Sequence, residues 1–172
     1  HHAASGYPNC PNLESDDAKR MWEKVVNEVH KNNSSIFCQL WHVGGIRKPG
    51  MPPNPEVPGF TPSGYVRPGK KVAHEMSHEE IQELINIYSE DTKACEELGF
   101  DGVEIHGAHG YLIDQFFWDQ INHRDDEYGG SIKNRSRFAS EILQAAKSNT
   151  SENFKVGISK IGKIIHLMEN KR

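Results

Sequence analysis

The sequence predicts an α/β fold whose strands run parallel. Segments with helical periodicity alternate with short apolar runs, in the order helix, strand, helix, strand, helix, strand. No G-x-G-x-x-G motif follows any predicted strand, so the dinucleotide-binding fingerprint of a Rossmann fold is absent. A doubly wound sheet and a slice of a (β/α)8 barrel remain, and both place the active site at the carboxyl ends of the strands.

Three helices are predicted from their caps and apolar stripes. Ser15 is the N-cap of the first helix, whose apolar positions recur at helical spacing as far as Val29. Ser77 and Glu80 form a capping box at the start of the second helix, and Gly99 marks its end. The apolar residues of the third helix are Phe138, Ile142, Leu143 and Ala146.

Three strands are predicted beside these helices, at 36–41, 103–106 and 154–158. The first is apolar on both faces, which is typical of a buried parallel strand. Residues 44–71 are rich in proline and glycine and too numerous for a plain connection, so we expect a functional or mobile loop there. A second loop, polar and aromatic, is expected between His106 and the third helix.

Composition narrows the possible classes of function. The 172 residues suit one domain, and 20 Lys and Arg against 24 Asp and Glu, without a basic block, argue against binding to nucleic acid or a membrane surface. No apolar run approaches the roughly 20 residues of a membrane span. A hydrophobic fraction of 35% is low for a self-contained core, as in a piece of a larger domain.

Cysteine usage predicts the compartment. Cys10, Cys38 and Cys95 are odd in number and have no C-x-x-C spacing. This pattern predicts neither a disulfide scaffold nor a zinc knuckle, and a reducing cytoplasm is the expected location.

Residues 104–111 carry the densest chemistry of the chain. His106 ends the second strand, His109 follows in a glycine-flanked turn, and Tyr111 comes two residues later. Two imidazoles held in this way can donate hydrogen bonds to one oxygen, and a phenol can protonate a carbanion. Spacing alone leaves two alternatives, structural histidines bonded to backbone and a metal site. The ligands of that metal site would be His42, His106, His109 and Asp114.

Gln39 stands alone among apolar residues near the end of the first strand. A buried glutamine needs several hydrogen-bond partners, and a heterocycle with imide-like edges would provide them. Bonding to the neighbouring backbone is the alternative.

Three separated motifs follow one another along the chain. They are Gln39-Leu-Trp-His42, then Glu104-Ile-His-Gly-Ala-His-Gly-Tyr-Leu-Ile-Asp-Gln-Phe116, then Arg124-x-Asp126-x-Tyr128-Gly-Gly-Ser131 with Asn134-Arg135-x-Arg137-Phe138. Together with the opening Gly6-Tyr7-Pro8-Asn9, they resemble the old yellow enzymes. These are FMN-dependent ene-reductases that include the 12-oxophytodienoate reductases. The resemblance extends over residues 6–158, nearly the whole chain.

The resemblance implies a partial (β/α)8 TIM barrel, about three strands and their helices, in a single incomplete domain over residues 1–172. It implies FMN as cofactor, NAD(P)H as reductant, and an enone or a similar electron-poor alkene as substrate. Gln39 would hydrogen-bond the pyrimidine ring of the flavin. His106 and His109 would bind the carbonyl or nitro oxygen. Tyr111 would protonate the α-carbon after hydride reaches the β-carbon.

The resemblance also marks where this chain departs from the family. An arginine that contacts the flavin is implied after Ile158, where this chain has Ser159, and the tail 159–172 no longer resembles the family. The excursion 44–71 would cover part of the site. An open slice of three strands would expose two sheet edges and an apolar inner face. The alternative to an ene-reductase is therefore a catalytically silent piece with a structural or self-associating role.

Overall fold

The computed structural model describes residues 1–159, and residues 160–172 of the divergent tail lie outside the described residues. The helices are α1 (Asp16–Lys31), α2 (His78–Glu97), α3 (Leu112–Phe117), α4 (Ile132–Arg135) and α5 (Arg137–Ser148), with a 3₁₀ turn at Gly44–Ile46. The strands are β1 (Phe37–Leu40), β2 (Phe60–Thr61), β3 (Tyr65–Arg67), β4 (Lys70–Lys71), β5 (His74–Glu75), β6 (Gly102–Ile105) and β7 (Lys155–Ile158). Across residues 1–159, no helix is both long and apolar enough to cross a membrane.

The main sheet has three parallel strands in the order β1, β6, β7. α2 connects β1 to β6, and the chain from α3 to α5 connects β6 to β7. This arrangement confirms the α/β prediction, because helical crossovers are how neighbouring parallel strands are joined. β1 and β7 have no second neighbour in this sheet within the described part of the chain, so both of its edges are open there.

Local capping signals predicted the helix ends correctly. The Ser15 hydroxyl accepts the backbone N–H of Ala18 at 3.1 Å. At the start of α2, the Ser77 hydroxyl accepts the Glu80 N–H and the Glu80 carboxylate accepts the Ser77 N–H, which completes the capping box. Gly99 follows α2 with φ +89°, a conformation that favours glycine.

The core lies between the sheet and the helices α2 and α5, which also pack against each other. Val103 and Ile105 are buried on the strand that lies in the middle of the sheet. Packing helices on one sheet face removes both apolar surfaces from water. The buried helix residues of this core include Ile81, Leu84, Ile85, Phe138 and Ile142.

The opposite face of the sheet is mostly polar or small, so the prediction of an apolar inner face is wrong. Side chains alternate between the two faces of a strand. The register therefore places on this face Phe37, Gln39, Gly102, Glu104, Lys155 and Gly157. Phe37 is the one large apolar residue among them and is 52% exposed. β1 is thus not buried on both faces. The prediction failed because the apolar pattern of β1 does not show how polar its cross-strand neighbours are.

The excursion at 44–71 is folded rather than a plain loop. It contains the 3₁₀ turn and three short strands; β2 pairs in parallel with β5, and β3 pairs antiparallel with β4. The guanidinium of Arg47 is buried among backbone carbonyls and donates to all of them. These carbonyls belong to Ser5, Met51, Pro52, Asn54 and Val57. Contacts between a side chain and backbone carbonyls leave no periodic signal in the sequence.

Two helices, α3 and α4, lie within the segment expected to be a polar and aromatic loop between His106 and the third helix. Every residue of α3 is buried, including the polar Asp114 and Gln115. The helix has six residues, fewer than the window in which helical periodicity can be recognised. Side chains of α3 form hydrogen bonds with Gly110, next to His109.

Candidate functional site

The candidate site lies at the carboxyl end of β6, where the chain continues into His106. The ring centroids of His106 and His109 are 5.2 Å apart. The Tyr111 ring is also 5.2 Å from His106. Three of the side chains predicted from the sequence therefore meet around one point, at the sheet edge where parallel α/β folds place their active sites.

The turn that presents His109 has an unusual backbone. His109 has φ +62° and Gly110 has φ +77°. A non-glycine residue in this region is uncommon and persists where its surroundings hold it. Here the surroundings are side chains of α3: Asp114 accepts the Gly110 N–H at 2.8 Å, and Gln115 donates to the Gly110 carbonyl at 2.6 Å. The His109 side chain is exposed as a result.

His106 is a buried imidazole, 7% exposed, next to the exposed one. Its Nδ1 lies 3.1 Å from the hydroxyl of Ser159. Burial, together with the neighbouring His109, holds the pKa of His106 below its ordinary value. His106 is therefore neutral at pH 7 and offers one donor and one acceptor.

Tyr111 is held in a group of three aromatic rings. The edge of Trp41 meets the Tyr111 ring at 5.0 Å, and Tyr7 stacks on Trp41 at 5.6 Å. Burial and a hydrogen bond between the Tyr7 and Tyr111 side chains raise the pKa of Tyr111 above its ordinary value. The sequence assigned no separate role to Tyr7, although its Gly-Tyr-Pro-Asn motif was the available signal.

Gln39 lies on the helix-free face of the sheet and is exposed, so the prediction of a buried glutamine is wrong. Its amide nitrogen donates to the carboxylate of Glu104, its cross-strand neighbour on β6. Alternation along β6 places His106 on the same side of the chain as Glu104, two residues earlier. Gln39 and His106 thus share one side of the sheet.

The geometry gives no support to the metal alternative. His42 is 3% exposed, its Nδ1 accepts the Gly44 N–H at 3.1 Å, and its Nε2 lies 3.0 Å from His1 Nδ1. Asp114 already accepts the Gly110 N–H. Among residues 1–159, no three histidine, cysteine, aspartate or glutamate side chains come together as metal ligands would.

Comparison with known proteins defines the class to which this chain belongs. The family described as NADH:flavin oxidoreductase / NADH oxidase matches residues 1–163. The chain is 39% identical over 152 residues to 12-oxophytodienoate reductase 2 of Arabidopsis thaliana. The match covers 83% of this chain and 41% of that protein. It is 44% identical over 149 residues to flavin oxidoreductase hxnT of Emericella nidulans. This match covers 83% of this chain and 38% of that protein.

A solved structure agrees with these sequence relatives. The old yellow enzyme homologue from Zymomonas mobilis superposes with a TM-score of 0.81 at 32% identity, over 92% of this chain and 47% of that one. The chain therefore belongs to the NADH:flavin oxidoreductase / NADH oxidase family, and its fold is part of the TIM barrel of the old yellow enzymes. It spans about two fifths of the length of the curated relatives named above.

Proposed function

We propose that this chain forms part of an FMN-dependent oxidoreductase that uses NAD(P)H to reduce the C=C bond of α,β-unsaturated carbonyl or nitro compounds. The observation that carries the proposal is the meeting of His106, His109 and Tyr111 at the end of β6, with both His106 ring distances at 5.2 Å. Membership of the family supports the flavin and the nicotinamide reductant.

The histidine pair binds the oxygen of the substrate. Neutral His106 has a ring nitrogen, Nε2, without a hydrogen-bond partner in the described part of the chain, and His109 is exposed beside it. When a hydride adds to the β-carbon, negative charge grows on the conjugated oxygen. Two donors already in place stabilise that charge without reorganising, which is the source of oxyanion-hole catalysis.

Tyr111 supplies the proton to the α-carbon. A tyrosine phenol is protonated at neutral pH, and the pKa of Tyr111 is shifted upward, away from neutrality, so Tyr111 enters the reaction as an acid. Its ring lies beside His106, so one substrate can meet the oxygen-binding group and the proton donor together.

The helix-free face around Gln39 fits the edge of a flavin. The amide has both donor and acceptor groups, as the pyrimidine edge of the ring system requires. In the same cross-strand row, a β-carbon on Gly157 would have nothing within 4 Å, so the face is open there. FMN supplies the hydride when it is bound. We assign Gln39 to hold the pyrimidine edge.

Absorbance spectroscopy tests the site. The purified chain is mixed with FMN, desalted, and titrated with a phenol as a mimic of the substrate oxygen. A retained flavin band that the phenol perturbs is the expected result, and a colourless protein would contradict a site built by this chain. His109→Ala should weaken phenol binding about tenfold, the value of one hydrogen bond. His123→Ala, an exposed histidine outside the site, is the matched control.

Rapid-mixing kinetics test the proton donor. Tyr111→Phe should slow alkene reduction by about 10²-fold or more, the usual contribution of a general acid, and leave reduction of the flavin by NAD(P)H unchanged. An unchanged alkene rate removes Tyr111 from this role.

The second candidate is a catalytically silent, self-associating piece. The open edges of β1 and β7 in the described part of the chain favour it, because unpaired strand edges can pair with another chain. Sedimentation at several protein concentrations separates the two: a monomer that binds FMN contradicts the second candidate. A cytoplasmic location stays a prediction from the three free cysteines.

A further inference from the structure

The hydroxyl of Ser159 lies directly beside His106 and forms a compact set of contacts. The Ser159 N–H donates to the Ile105 carbonyl at 3.0 Å. The Gly107 N–H donates to Ser159 Oγ at 2.9 Å. Ser159 Oγ is then 3.1 Å from His106 Nδ1 and 3.4 Å from the Ile105 carbonyl oxygen. The serine is thus held through its backbone and its side chain against the end of β6.

The single hydroxyl proton has two acceptors to choose from. The Ile105 carbonyl is farther away and already accepts the Ser159 N–H. His106 Nδ1 is closer by 0.3 Å, the difference between 3.4 and 3.1 Å. In the opposite arrangement an Nδ1–H would donate to Oγ and the hydroxyl would be left with the Ile105 carbonyl at 3.4 Å, which is beyond the roughly 2.5–3.0 Å of ordinary O–H···O bonds. The proton therefore points to Nδ1, and the lone pair of Oγ receives the Gly107 N–H.

A histidine nitrogen that accepts a hydrogen bond carries no proton. Because neutral imidazole has one N–H, acceptance at Nδ1 places that proton on Nε2. Burial, which lowers the pKa of His106, supports the neutral ring. Within residues 1–159 Nε2 has no hydrogen-bond partner, and His109 is the neighbouring imidazole.

We propose that Ser159 is a positioning residue for His106, whose ring it holds as the tautomer with the proton on Nε2. That proton is then available to an oxygen in the site at every encounter. The tautomer itself stands on the contacts above, whereas a carbonyl or nitro oxygen as its acceptor rests on the proposed function. The family resemblance implies an arginine at this position, so the role belongs to the serine of this chain.

Long-range proton–nitrogen NMR of the ¹⁵N-labelled full chain tests the tautomer directly. The ten histidines give separate patterns, and loss of one pattern in His106→Gln assigns His106. We expect a protonated Nε2 and an unprotonated Nδ1 in the unmodified chain. A ring protonated on Nδ1, or on both nitrogens at pH 7, overturns the proposal without any serine variant.

Serine variants test the cause. Ser159→Ala should give a mixture of tautomers, and Ser159→Thr, which keeps the hydroxyl, should restore the single Nε2–H form. Ser140 lies in α5, and its hydroxyl donates to the Ser136 carbonyl. Ser140→Ala removes this hydroxyl and should leave the His106 signals unchanged. A pure Nε2–H tautomer in Ser159→Ala shows that another group sets it and overturns the proposal.

Phenol binding to the FMN-loaded chain adds a functional readout. Ser159→Ala should weaken it about three- to tenfold, with recovery in Ser159→Thr. If neither the unmodified chain nor any variant binds phenol, while the tautomers behave as described above, the proposed function fails and the positioning role of Ser159 stands. If phenol binds normally to Ser159→Ala despite mixed tautomers, the positioning role fails and the proposed function stands.

Discussion

Two neighbouring strands end in histidines that the fold treats in opposite ways. His42 follows β1 and His106 follows β6, and they are 3% and 7% exposed. Both ring nitrogens of His42 have partners, Gly44 and His1. His106 has a partner at Nδ1 alone among the described residues. Burial therefore does not distinguish the histidine that we propose to be functional from the structural one, whereas the unpaired ring nitrogen of His106 does.

The backbone after each strand explains the difference. After β1 the chain enters the 3₁₀ turn so tightly that a β-carbon on Gly44 would lie 2.3 Å from Oε1 of Gln115. That end is closed by α3. After β6 the His109 side chain is exposed on its turn, and Nε2 of His106 has no partner among the described residues. We call this end open, and the candidate site lies there.

Truncation of the two histidines should give the largest contrast in stability. His42→Ala leaves a cavity and an unpaired Gly44 N–H, so we expect the free energy of unfolding to fall by about 2–4 kcal/mol. His106→Ala removes one side-chain hydrogen bond, to Ser159, and its ring contacts with the exposed His109 and with Tyr111, and should cost about 1 kcal/mol. Urea denaturation followed by circular dichroism measures both. Equal losses would break the distinction between a closed and an open strand end.

The second-largest expected effect is destabilisation of the folded chain by acid, through His42 at the closed strand end. Burial lowers the pKa of His42 to about 3, from an ordinary value of 6.5. Below pH 6.5, His42 binds a proton in the unfolded chain, whereas in the folded chain it stays neutral until about pH 3. The free energy of unfolding therefore falls as the pH falls. Between pH 6.5 and 5 the loss is about 2 kcal/mol.

The variant His42→Asn isolates this effect. Its amide oxygen can accept the Gly44 N–H but does not titrate, so urea midpoints from pH 7 to 5 should fall less steeply than in the unmodified chain. Parallel slopes in the two proteins would show that His42 does not control this range.

Replacing His109 by glycine at the open end should raise the stability of the fold and weaken phenol binding. His109→Gly removes a β-carbon from a backbone with φ +62°, so we expect about 1 kcal/mol of added stability. The same change removes a donor and weakens phenol binding. His109→Ala keeps the β-carbon and should lose binding without the gain in stability. Thermal unfolding of the two variants decides between relief of strain and a general effect of removing the imidazole.

The smallest expected effect concerns the aromatic group at the open end. Tyr7→Phe removes the hydrogen bond to Tyr111, so the pKa of Tyr111 should move down toward its ordinary value. Burial, the larger cause, keeps the pKa of Tyr111 raised in part. Titration of ¹³C-labelled tyrosine by NMR follows this change, with Tyr65→Phe as the control outside the site. An unmoved Tyr111 would show that burial alone sets its pKa.

Features that depend on near neighbours in sequence were predictable. Caps such as Ser15 and the Ser77–Glu80 box act over three residues, and the stripes of α2 and α5 follow from helical geometry. The motif around His106, His109 and Tyr111 lies within six residues, so its meeting at one point was also predictable. For these features the amino-acid sequence by itself determined the outcome.

Features that depend on distant partners were decided by the tertiary structure alone. Gln39 is exposed because the helices pack on the opposite face of the sheet, and α3 is a helix because buried contacts outweigh its short length. Ser159 meets His106 across 53 residues. A contact between residues so far apart exists only once β6 and β7 have paired, and no local pattern in the chain encodes it.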